Sequence, residues 1–295
     1  MTQIIDGVKI KEQILADLKE TVAGLAGEPG LAVILVGDNP ASKAYIGMKK
    51  KACESLGIRS FEFLLPATSN EDELIQLIDT LNEKSEVNGI LLQMPLPKHF
   101  DEQKMLERIS PEKDVDGFHP VNVGKLLIGL DTFKSCTPFG VAHLLKAYNI
   151  ETEGKHVVIL GRSNIVGKPM AAILVQNEVG ANATVTICHS RTKNLIQITQ
   201  QADILIAAIG KPLFVKKDMV KDGAVVIDVG INRVDDANHP KGYRLVGDVD
   251  YDDVKDLTSA ITPVPGGVGP LTIAMLMTNT VTAFTNQQQL VKHHQ

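Results

Sequence analysis

The stretch AYIGMKK places Tyr45 four residues before Lys49. In a helix this spacing sets the two side chains on one face, a turn apart. A lysine can act as a base when its pKa is lowered, and burial and nearby positive charge both lower it. An ordinary solvated face that carries one aromatic residue explains the same spacing. The pair alone therefore leaves a catalytic role and a surface role open.

Further polar residues follow the apolar segments downstream. Gln93 comes directly after the run GILL, where a polar amide at the end of a buried strand needs a hydrogen-bond partner. It could hold a lysine amine in place, or it could cap a loop. Asp114 and Asp116 lie in the loop SPEKDVDGFHP, which suits a turn, an interdomain salt bridge or a carboxylate that faces the donor groups of a ligand. No other ligands at calcium-loop spacing accompany them, so we predict no metal site.

A phosphate-binding turn is predicted in HVVILGRSNIVGKP, residues 156–169. An apolar strand ends at Leu160, and the segment from Gly161 to Gly167 then leads into a helix. A tight glycine turn of this kind lets the amides of a helix N-terminus face a pyrophosphate. The pattern departs from G-x-G-x-x-G because Ser163 replaces the middle glycine and the last glycine comes one position late. Taken alone, the loop could also be a plain strand-to-helix turn.

The end of the next strand favours NADP over NAD. In an NAD site an acidic residue usually ends this strand and holds the ribose hydroxyls. Here the strand ATVTIC is followed by His189, Ser190 and Arg191, without an acid. A hydroxyl and a guanidinium suit a ribose phosphate, and Arg162 offers a second cation. The competing interpretation is a solvated loop.

Two later strand ends are predicted to line the same crevice, because ligands bind at the carboxyl ends of parallel strands. These are residues 208–210 and 230–232, where glycine lets the backbone approach a ring closely. Asp228 lies just before the second of them, and we interpret it as a structural carboxylate that takes no part in catalysis.

The elements that must position these residues alternate between apolar strands and helices. Strands are predicted over 31–37, 60–65, 89–97, 156–160, 183–188, 203–209 and 224–229. Helices are predicted over 8–24, 70–84, 101–109, 167–178, 192–201 and 271–285. A further helix runs through SKAYIGMKKKACESLG, with Ser42 as a possible cap and Gly57 as its stop, and another opens at Thr137 and Pro138. This alternation is typical of a parallel sheet with helices on its faces, so the predicted fold class is α/β.

The length of 295 residues fits two α/β units with a cleft between them, the second a Rossmann-like NADP-binding domain. The first domain is predicted to cover 1–120 plus 270–295, because chain termini often lie close together. The second is predicted to cover 121–269.

Composition limits the class of partner. Hydrophobic residues make up 44% of the chain and charged residues 22%, and the net charge of −5 shows no basic excess that would point to nucleic acid. The longest apolar runs are too short to cross a bilayer, and the start lacks the long apolar core of a signal peptide. The three cysteines are far apart and form no C-x-x-C, which predicts reduced thiols in a cytoplasmic protein. We therefore expect neither a nucleic-acid nor a membrane partner.

Segments that cover nearly the whole chain share one family pattern: VGDNPASKAYIGMKKKAC, GILLQMPLP, PEKDVDGFHPVNVG, CTPFG, GRSNIVGKPMA, VVIDVGIN and ITPVPGGVGPLT. In this order they resemble the bifunctional methylenetetrahydrofolate dehydrogenase/methenyltetrahydrofolate cyclohydrolase family. KDVDG and PGGVGP, together with the lysine motif, are the most specific of them. Ser135 departs from the pattern, since such proteins often carry proline there, but it leaves every predicted site residue in place. Short-chain dehydrogenases also carry Tyr-x-x-x-Lys, but in them the nucleotide loop precedes the pair.

The resemblance implies two consecutive reactions. Methylene-tetrahydrofolate is oxidised by hydride transfer to NADP, and water then opens the methenyl cation to give formyl-tetrahydrofolate. The products serve one-carbon metabolism, including purine and amino-acid synthesis. A homodimer is implied as well. The alternatives are a dehydrogenase of this fold that lacks the hydrolytic step and a nucleotide-binding module without catalysis.

The resemblance also implies roles for the residues singled out above. Lys49 becomes the main catalytic residue and Gln93 its hydrogen-bond partner, while Tyr45 packs on the folate ring and Asp116 accepts hydrogen bonds from the pterin. The residues implied in folate binding from the last loop are Pro265, Gly266, Gly267, Val268 and Gly269. Those implied or predicted at the coenzyme are Gly161, Arg162, Ser163, Gly167, Ser190, Arg191 and Ile231.

Overall fold

The structure is a computed structural model that describes residues 2–237, 239–240 and 242–293. The chain folds as two compact units. The six-stranded unit comprises Met1–Glu12 and Cys136–Thr272, and the three-stranded unit comprises Gln13–Ser135 and Ile273–Gln295.

This division differs from the predicted one at the start of the chain and in residues 121–135 and 270–272. The start belongs to the six-stranded unit because Gln3 and Ile4 pair in parallel with Ala260 and Ile261. An edge strand of two residues carries too little apolar periodicity to be predicted from sequence.

The strands are β1 (Gln3–Ile4), β2 (Gly30–Val36), β3 (Arg59–Leu65), β4 (Gly89–Leu92), β5 (His156–Leu160), β6 (Thr184–Cys188), β7 (Ile204–Ala207), β8 (Val225–Asp228), β9 (Asn232–Asp235), β10 (Tyr243–Val246) and β11 (Ala260–Ile261). The helices are α1 (Gly7–Ala23), α2 (Pro40–Leu56), α3 (Glu71–Glu83), α4 (Glu102–Arg108), α5 (Pro120–Leu127), α6 (Cys136–Ala147), α7 (Gly167–Leu174), α8 (Leu195–Thr199), α9 (Tyr251–Val254) and α10 (Gly269–His293). Short 3₁₀ turns cover Lys217–Met219 and Lys255–Leu257.

The three-stranded unit is built on β2. The strand order is β3-β2-β4 and both pairings are parallel. All seven residues of β2 are buried, as expected for a central strand covered on both faces. Leu74 and Ile78 of α3 pack with Ile34 and Ile90 in the core of this unit. The parallel pairing brings the carboxyl ends of β2 and β4 to the same edge of the sheet.

The start and the end of helix α2 are each marked by specific residues in the sequence. The prediction that Ser42 caps it is wrong, because the helix begins at Pro40 and the backbone N–H of buried Ser42 donates to Asn39 Oδ1 at 3.3 Å. Asparagine before a first-turn proline is a favourable start for a helix. Gly57 ends the helix with φ of +76°, which confirms the predicted stop.

The six-stranded unit holds a parallel sheet in the order β1-β11-β8-β7-β5-β6. Strand β5 pairs with β6 on one side and with β7 on the other, so the order of connections reverses there. In sheets of this kind ligands bind at the carboxyl ends of the strands beside the reversal. Val158, Leu205 and Val226, on the neighbouring strands β5, β7 and β8, belong to one buried core cluster.

The predicted α/β class is confirmed, while helix α5 and the β9–β10 ribbon were not among the predicted elements. Helix α5 follows the KDVDG loop, and its cap is His119, whose Nδ1 accepts from the N–H of Val121 at 3.1 Å. Strands β9 and β10 form an antiparallel ribbon beside the main sheet. Among the helices of the described residues, none combines the length and the apolar character needed to cross a bilayer.

Candidate active site

Lys49 and Gln93 meet in the three-stranded unit. Lys49 lies on α2, which follows β2, and Gln93 comes directly after the neighbouring strand β4. Lys49 is only 8% exposed, and its Nζ donates to Gln93 Oε1 at 2.8 Å. The amide of Gln93 is oriented because its Nε2 donates to the carbonyl of Met94 at 2.9 Å. Of the two predicted roles for Gln93, the structure therefore shows the contact with a lysine amine.

The other residues of the AYIGMKK stretch separate into two groups. Tyr45 lies one turn before Lys49 on α2 and is 41% exposed, so part of its ring is open to a ligand. Lys50 instead pairs with Glu62 at 3.2 Å on the surface, with about half of its side chain exposed. Exposed pairs of this kind contribute little to stability. Adjacent lysines thus occupy different environments on the same helix.

The two aspartates of the KDVDG loop also differ. Asp114 is 2% exposed and accepts hydrogen bonds from the N–H groups of Phe118 at 3.2 Å and His119 at 2.8 Å, and from Asn122 Nδ2 at 2.8 Å. Burial raises its pKa to about 7, although these hydrogen bonds act in the opposite direction. Asp116 is only partly buried. Asp114 therefore organises the loop that carries Asp116.

The remainder of this loop is fixed by backbone contacts. Lys113 is buried and its Nζ donates to the carbonyls of Leu81 at 3.0 Å and Lys84 at 2.8 Å, at the end of α3. Desolvation lowers its pKa. Gly117 has φ of +71°, and an added Cβ would lie 2.7 Å from Ser135 N. Only glycine fits this turn.

In the six-stranded unit, the predicted phosphate loop is a tight turn between β5 and α7. Gly161 has φ of +127°, and a Cβ there would collide with the carbonyl of Ala208. A Cβ on Gly167 would collide with the carbonyl of Gly161. Ser163 Oγ accepts from the N–H groups of Val166 at 3.1 Å and Gly167 at 3.3 Å, so the serine shapes the turn from the place of the missing glycine. The backbone of this turn therefore requires glycine at both positions.

The cations predicted near a ribose phosphate lie on adjacent strand ends. Leu160 pairs with Cys188, and Arg162 and Ser190 each come two residues later at the same edge of the sheet. A turn holds the second segment, since the N–H of His189 donates to Thr192 Oγ1 at 2.9 Å. Arg162, Ser190 and Arg191 are exposed there. A phosphate could bind here to the hydroxyl of Ser190 and the guanidinium groups of Arg162 and Arg191.

The remaining predicted residues also lie in the six-stranded unit. Ile231 follows β8 at the carboxyl edge and is 46% exposed. The segment of Pro265, Gly266, Gly267, Val268 and Gly269 follows β11 and enters α10. Gly266 has φ of +106°, and its carbonyl accepts from the N–H of Gly7 at 2.9 Å. Val268 is buried, so its side chain serves packing, and a ligand contact from this residue would use the backbone.

Sequence reasoning missed one group at this edge. Asp248 is fully buried and its carboxylate accepts hydrogen bonds from the loops after β7 and β8. It follows the polar β9–β10 ribbon, where no apolar strand signals a sheet edge. No local signal in the sequence marks it, because its partners Ile209, Gly210 and Asn232 lie 16 to 39 positions earlier in the chain. Within the described residues, no group of three or more histidine, cysteine, aspartate or glutamate side chains could hold a metal ion.

Comparison with known families and proteins agrees with this arrangement. The sequence profile of the tetrahydrofolate dehydrogenase/cyclohydrolase catalytic domain matches residues 5–116, and that of the NAD(P)-binding domain of the same family matches residues 135–288. The bifunctional protein FolD of Chloroherpeton thalassium is 55% identical over 287 residues, which cover 95% of this chain and 98% of the relative.

Solved structures resemble the chain over nearly its whole length. The bifunctional enzyme FolD–methylenetetrahydrofolate dehydrogenase/cyclohydrolase of Campylobacter jejuni superposes with a TM-score of 0.91 at 49% identity, covering 97% of this chain and 100% of that one. The methylenetetrahydrofolate dehydrogenase-cyclohydrolase (FolD) of Trypanosoma brucei, complexed with NADP cofactor and inhibitor, also gives a TM-score of 0.91, at 40% identity over 97% of this chain and 98% of that one.

Proposed function

Since the chain belongs to the tetrahydrofolate dehydrogenase/cyclohydrolase family, we propose that Lys49 is its proton-transfer group and that Gln93 orients Lys49. The chain is a bifunctional enzyme of one-carbon metabolism. It oxidises methylene-tetrahydrofolate to methenyl-tetrahydrofolate with NADP and hydrolyses the methenyl product to formyl-tetrahydrofolate. The observation that carries the proposed roles is the 2.8 Å hydrogen bond between the buried lysine and the glutamine amide.

A lysine held by a neutral amide suits the hydrolytic step. The amide oxygen of Gln93 orients the nitrogen of Lys49 without the negative charge of a carboxylate, which would favour the ammonium form. The amine can take a proton from the water that attacks the methenyl carbon. The resulting ammonium can give that proton to the ring nitrogen as its bond to this carbon breaks. The remaining hydroxyl proton of the adduct then leaves to solvent, and the formyl C=O forms. A positioned base of this kind typically contributes about 10²- to 10⁴-fold in rate.

Tyr45 and Asp116 are proposed to bind the folate. The exposed part of the Tyr45 ring lies one helical turn from Lys49, so a flat heterocycle stacked on it would lie near the proton-transfer group. Asp116 is partly exposed while Asp114 holds the loop backbone, which leaves the second carboxylate suited to accept hydrogen bonds from pterin N–H groups. The segment 265–269 remains a prediction for folate contact.

The loop after β5 and the turn after β6 fit NADP. Gly161 and Gly167 allow a close backbone approach, and Ser163 shapes the turn between them. Ser190, Arg191 and Arg162 would hold the ribose phosphate, and the turn after β6 carries no carboxylate to repel it. Ile231 would contact the coenzyme from the end of β8. When bound, NADP accepts the hydride from the methylene carbon.

We also propose a cytoplasmic homodimer. Within the described part of the chain, β6 pairs only with β5, so its outer edge is available for pairing with another chain. Exposed Val175, Val179 and Ile187 lie on or just before this strand and would supply apolar contact area. Cys53, Cys136 and Cys188 are free thiols, as suits a reducing compartment. Light scattering on the purified protein would give the mass of a dimer, and a monomeric mass at micromolar concentration would refute the dimer.

One spectroscopic assay tests the function as a whole. The enzyme is supplied with methylene-tetrahydrofolate and either NADP or NAD, and reduced coenzyme and methenyl product are followed together. We expect reduced coenzyme to form preferentially with NADP, and methenyl absorbance to decay faster than it does without enzyme. Persistence of the methenyl absorbance would identify a dehydrogenase without cyclohydrolase activity. Binding of NADP without any turnover would identify a non-catalytic module.

A further inference from the structure

A buried carboxylate joins two loops at the carboxyl edge of the six-stranded sheet. Asp248 Oδ2 accepts from the backbone N–H groups of Ile209 at 2.7 Å and Gly210 at 2.9 Å, in the loop after β7. Its Oδ1 accepts from Asn232 Nδ2 at 2.9 Å, in the segment after β8. Asp248 is fully buried, so solvent does not compete for these hydrogen bonds.

A second buried carboxylate fixes Asp248 itself. Asp228, at the end of β8, accepts from the backbone N–H groups of Gly230 at 2.9 Å, Asp248 at 3.0 Å and Val249 at 2.8 Å. An added Cβ on Gly230 would collide with the Asp248 carboxyl group, so this backbone lies directly against it. The two aspartates therefore leave the loops little freedom to move.

The two joined loops lie side by side where the coenzyme is proposed to bind. Ala207 pairs with Asp228, so residues 209–210 and 230–231 follow at equivalent distances along neighbouring parallel strands. Ile231, between Gly230 and Asn232, has an exposed side chain at this edge. The position of Ile231 thus depends on contacts made by Asp248 on its C-terminal side and by Asp228 on its N-terminal side.

We propose that Asp248 is a positioning residue for hydride transfer. It holds the backbone of 209–210 and the side chain of Asn232 in place, and so fixes the surface that Ile231 presents to the reactive ring of the coenzyme. This inference rests on the proposed coenzyme site. Hydride transfer depends on alignment of two bound rings, and a displacement of about 1 Å can reduce the rate by about 100-fold. Addition of water to the methenyl group needs no hydride acceptor, so the loss of Asp248 separates the two activities.

The test compares variants of Asp248 in the full chain, with both activities measured on the same preparation. Asp248→Ala removes the acceptor of three hydrogen bonds, and we expect its dehydrogenase kcat to fall by about 10- to 100-fold while cyclohydrolase kcat stays within about twofold. Asp248→Asn keeps one oxygen for Ile209 and Gly210, and Asn232 can turn its amide to offer an oxygen to the new NH₂ group. This conservative variant should retain most of the dehydrogenase activity.

A matched control lies at the opposite edge of the same sheet. Asp203 accepts from the N–H of His156 at 2.9 Å and from Lys221 Nζ at 2.6 Å. Asp203→Ala should leave the ratio of the two activities unchanged. A primary deuterium isotope effect on the dehydrogenase, measured with substrate labelled on the methylene carbon, should increase in Asp248→Ala because hydride transfer becomes rate-limiting.

The proposal fails if Asp248→Ala leaves the dehydrogenase unchanged or lowers both activities by the same factor in a folded protein. If that variant does not fold, Asn232→Leu provides the second test, because it removes one hydrogen bond and leaves Ile209 and Gly210 bonded. We expect a smaller loss of about 3- to 10-fold, confined to the dehydrogenase, and an unchanged activity ratio in this variant would refute the proposal. If the wild-type enzyme has no turnover with NADP, the proposed coenzyme site itself is wrong, which is a separate result.

Discussion

Replacing Gln93 by glutamate should move the pH dependence of methenyl hydrolysis to higher pH. Gln93 Oε1 lies 2.8 Å from Nζ of Lys49, and Lys49 is 8% exposed, so a carboxylate at this position would form a shielded ion pair. The ion pair favours the ammonium form, which cannot accept a proton from water. An opposite charge at this distance shifts an ionisation midpoint by about one to three pH units. Well below the new midpoint, the fraction of neutral amine falls by about 10- to 1000-fold.

Replacing Gln93 by leucine separates the hydrogen bond from the charge. A hydrogen bond to an ionised group contributes about 1.5–3 kcal/mol. If the amide holds the lysine in the transition state, loss of this bond lowers kcat by about 10- to 150-fold, since each 1.36 kcal/mol is a factor of ten. The leucine variant adds no charge, so the rising limb of its pH profile should not move to higher pH as it does in Gln93→Glu.

The assay follows decay of methenyl absorbance in the wild type and both variants from about pH 6 to about pH 9, with the rate without enzyme subtracted. Gln103 provides the control. It lies exposed on α4 in the same unit, where its Nε2 donates to Glu107 Oε1 at 2.7 Å. Gln103→Glu should keep the wild-type profile. A wild-type profile in Gln93→Glu, or wild-type hydrolysis in Gln93→Leu, would refute the assignment of the pair.

Three further outcomes follow from the geometry. Arg191→Ala should raise the KM for NADP by about 10- to 150-fold and leave the KM for NAD almost unchanged, because only NADP carries the phosphate that a guanidinium binds. An equal rise for both coenzymes would contradict this prediction. Lys193→Ala, on the same exposed turn, is the control and should leave both KM values unchanged. Gly161→Ala should abolish NADP binding in a titration, because its Cβ would collide with the carbonyl of Ala208, and normal binding would contradict the geometry. Because burial raises the pKa of Asp114 to about 7, the folded chain keeps a proton that the unfolded chain releases between about pH 4 and about pH 7, so the free energy of unfolding falls as pH rises through that window. In urea unfolding, the free energy of unfolding of the wild type should fall relative to that of Asp114→Asn by up to about 4 kcal/mol across this range and should not fall further above it. A constant difference between the two proteins at all pH values would contradict the raised pKa.

The buried parallel strands could be predicted from sequence because their apolar runs are continuous. Strand β5 was predicted with its observed bounds, and β2 within one residue at each end. Such runs are bounded by glycine or proline where the chain leaves the sheet, so both type and position are visible locally. The same continuity placed Gln93 and Gly161 directly after strand ends.

Two of the missed elements depend on strand pairings. Strand β1 has two residues and exists because β11, more than 250 positions later, offers it an edge. The β9–β10 ribbon is polar, and Arg233 stacks on Tyr243 with its guanidinium carbon 3.9 Å from the ring centroid, which no periodicity reveals. Local propensity does not contain this information.

The candidate site, like the fold, could be predicted from sequence only in part. Helical spacing predicted that Tyr45 and Lys49 share a face, and the order of strands and helices predicted that Gln93 lies at a strand end. The family resemblance implied that Gln93 contacts Lys49, but the residues alone also allowed a loop cap. The contact arises because β2 and β4 are neighbours in the sheet. The division of work between Asp114 and Asp116 was likewise hidden, because it depends on which carboxylate the turn at Gly117 directs into the protein.

The most direct test of the central claim is the activity of Lys49→Met, a substitution of similar length that removes the amine. With methylene-tetrahydrofolate and NADP supplied together, this variant should hydrolyse methenyl-tetrahydrofolate at least about 100-fold more slowly than the wild type. It should still bind NADP with wild-type affinity in a fluorescence titration, because the predicted coenzyme loops lie in the six-stranded unit and Lys49 lies in the three-stranded one. Hydrolysis at the wild-type rate in this variant would contradict the assignment of Lys49 as the proton-transfer group.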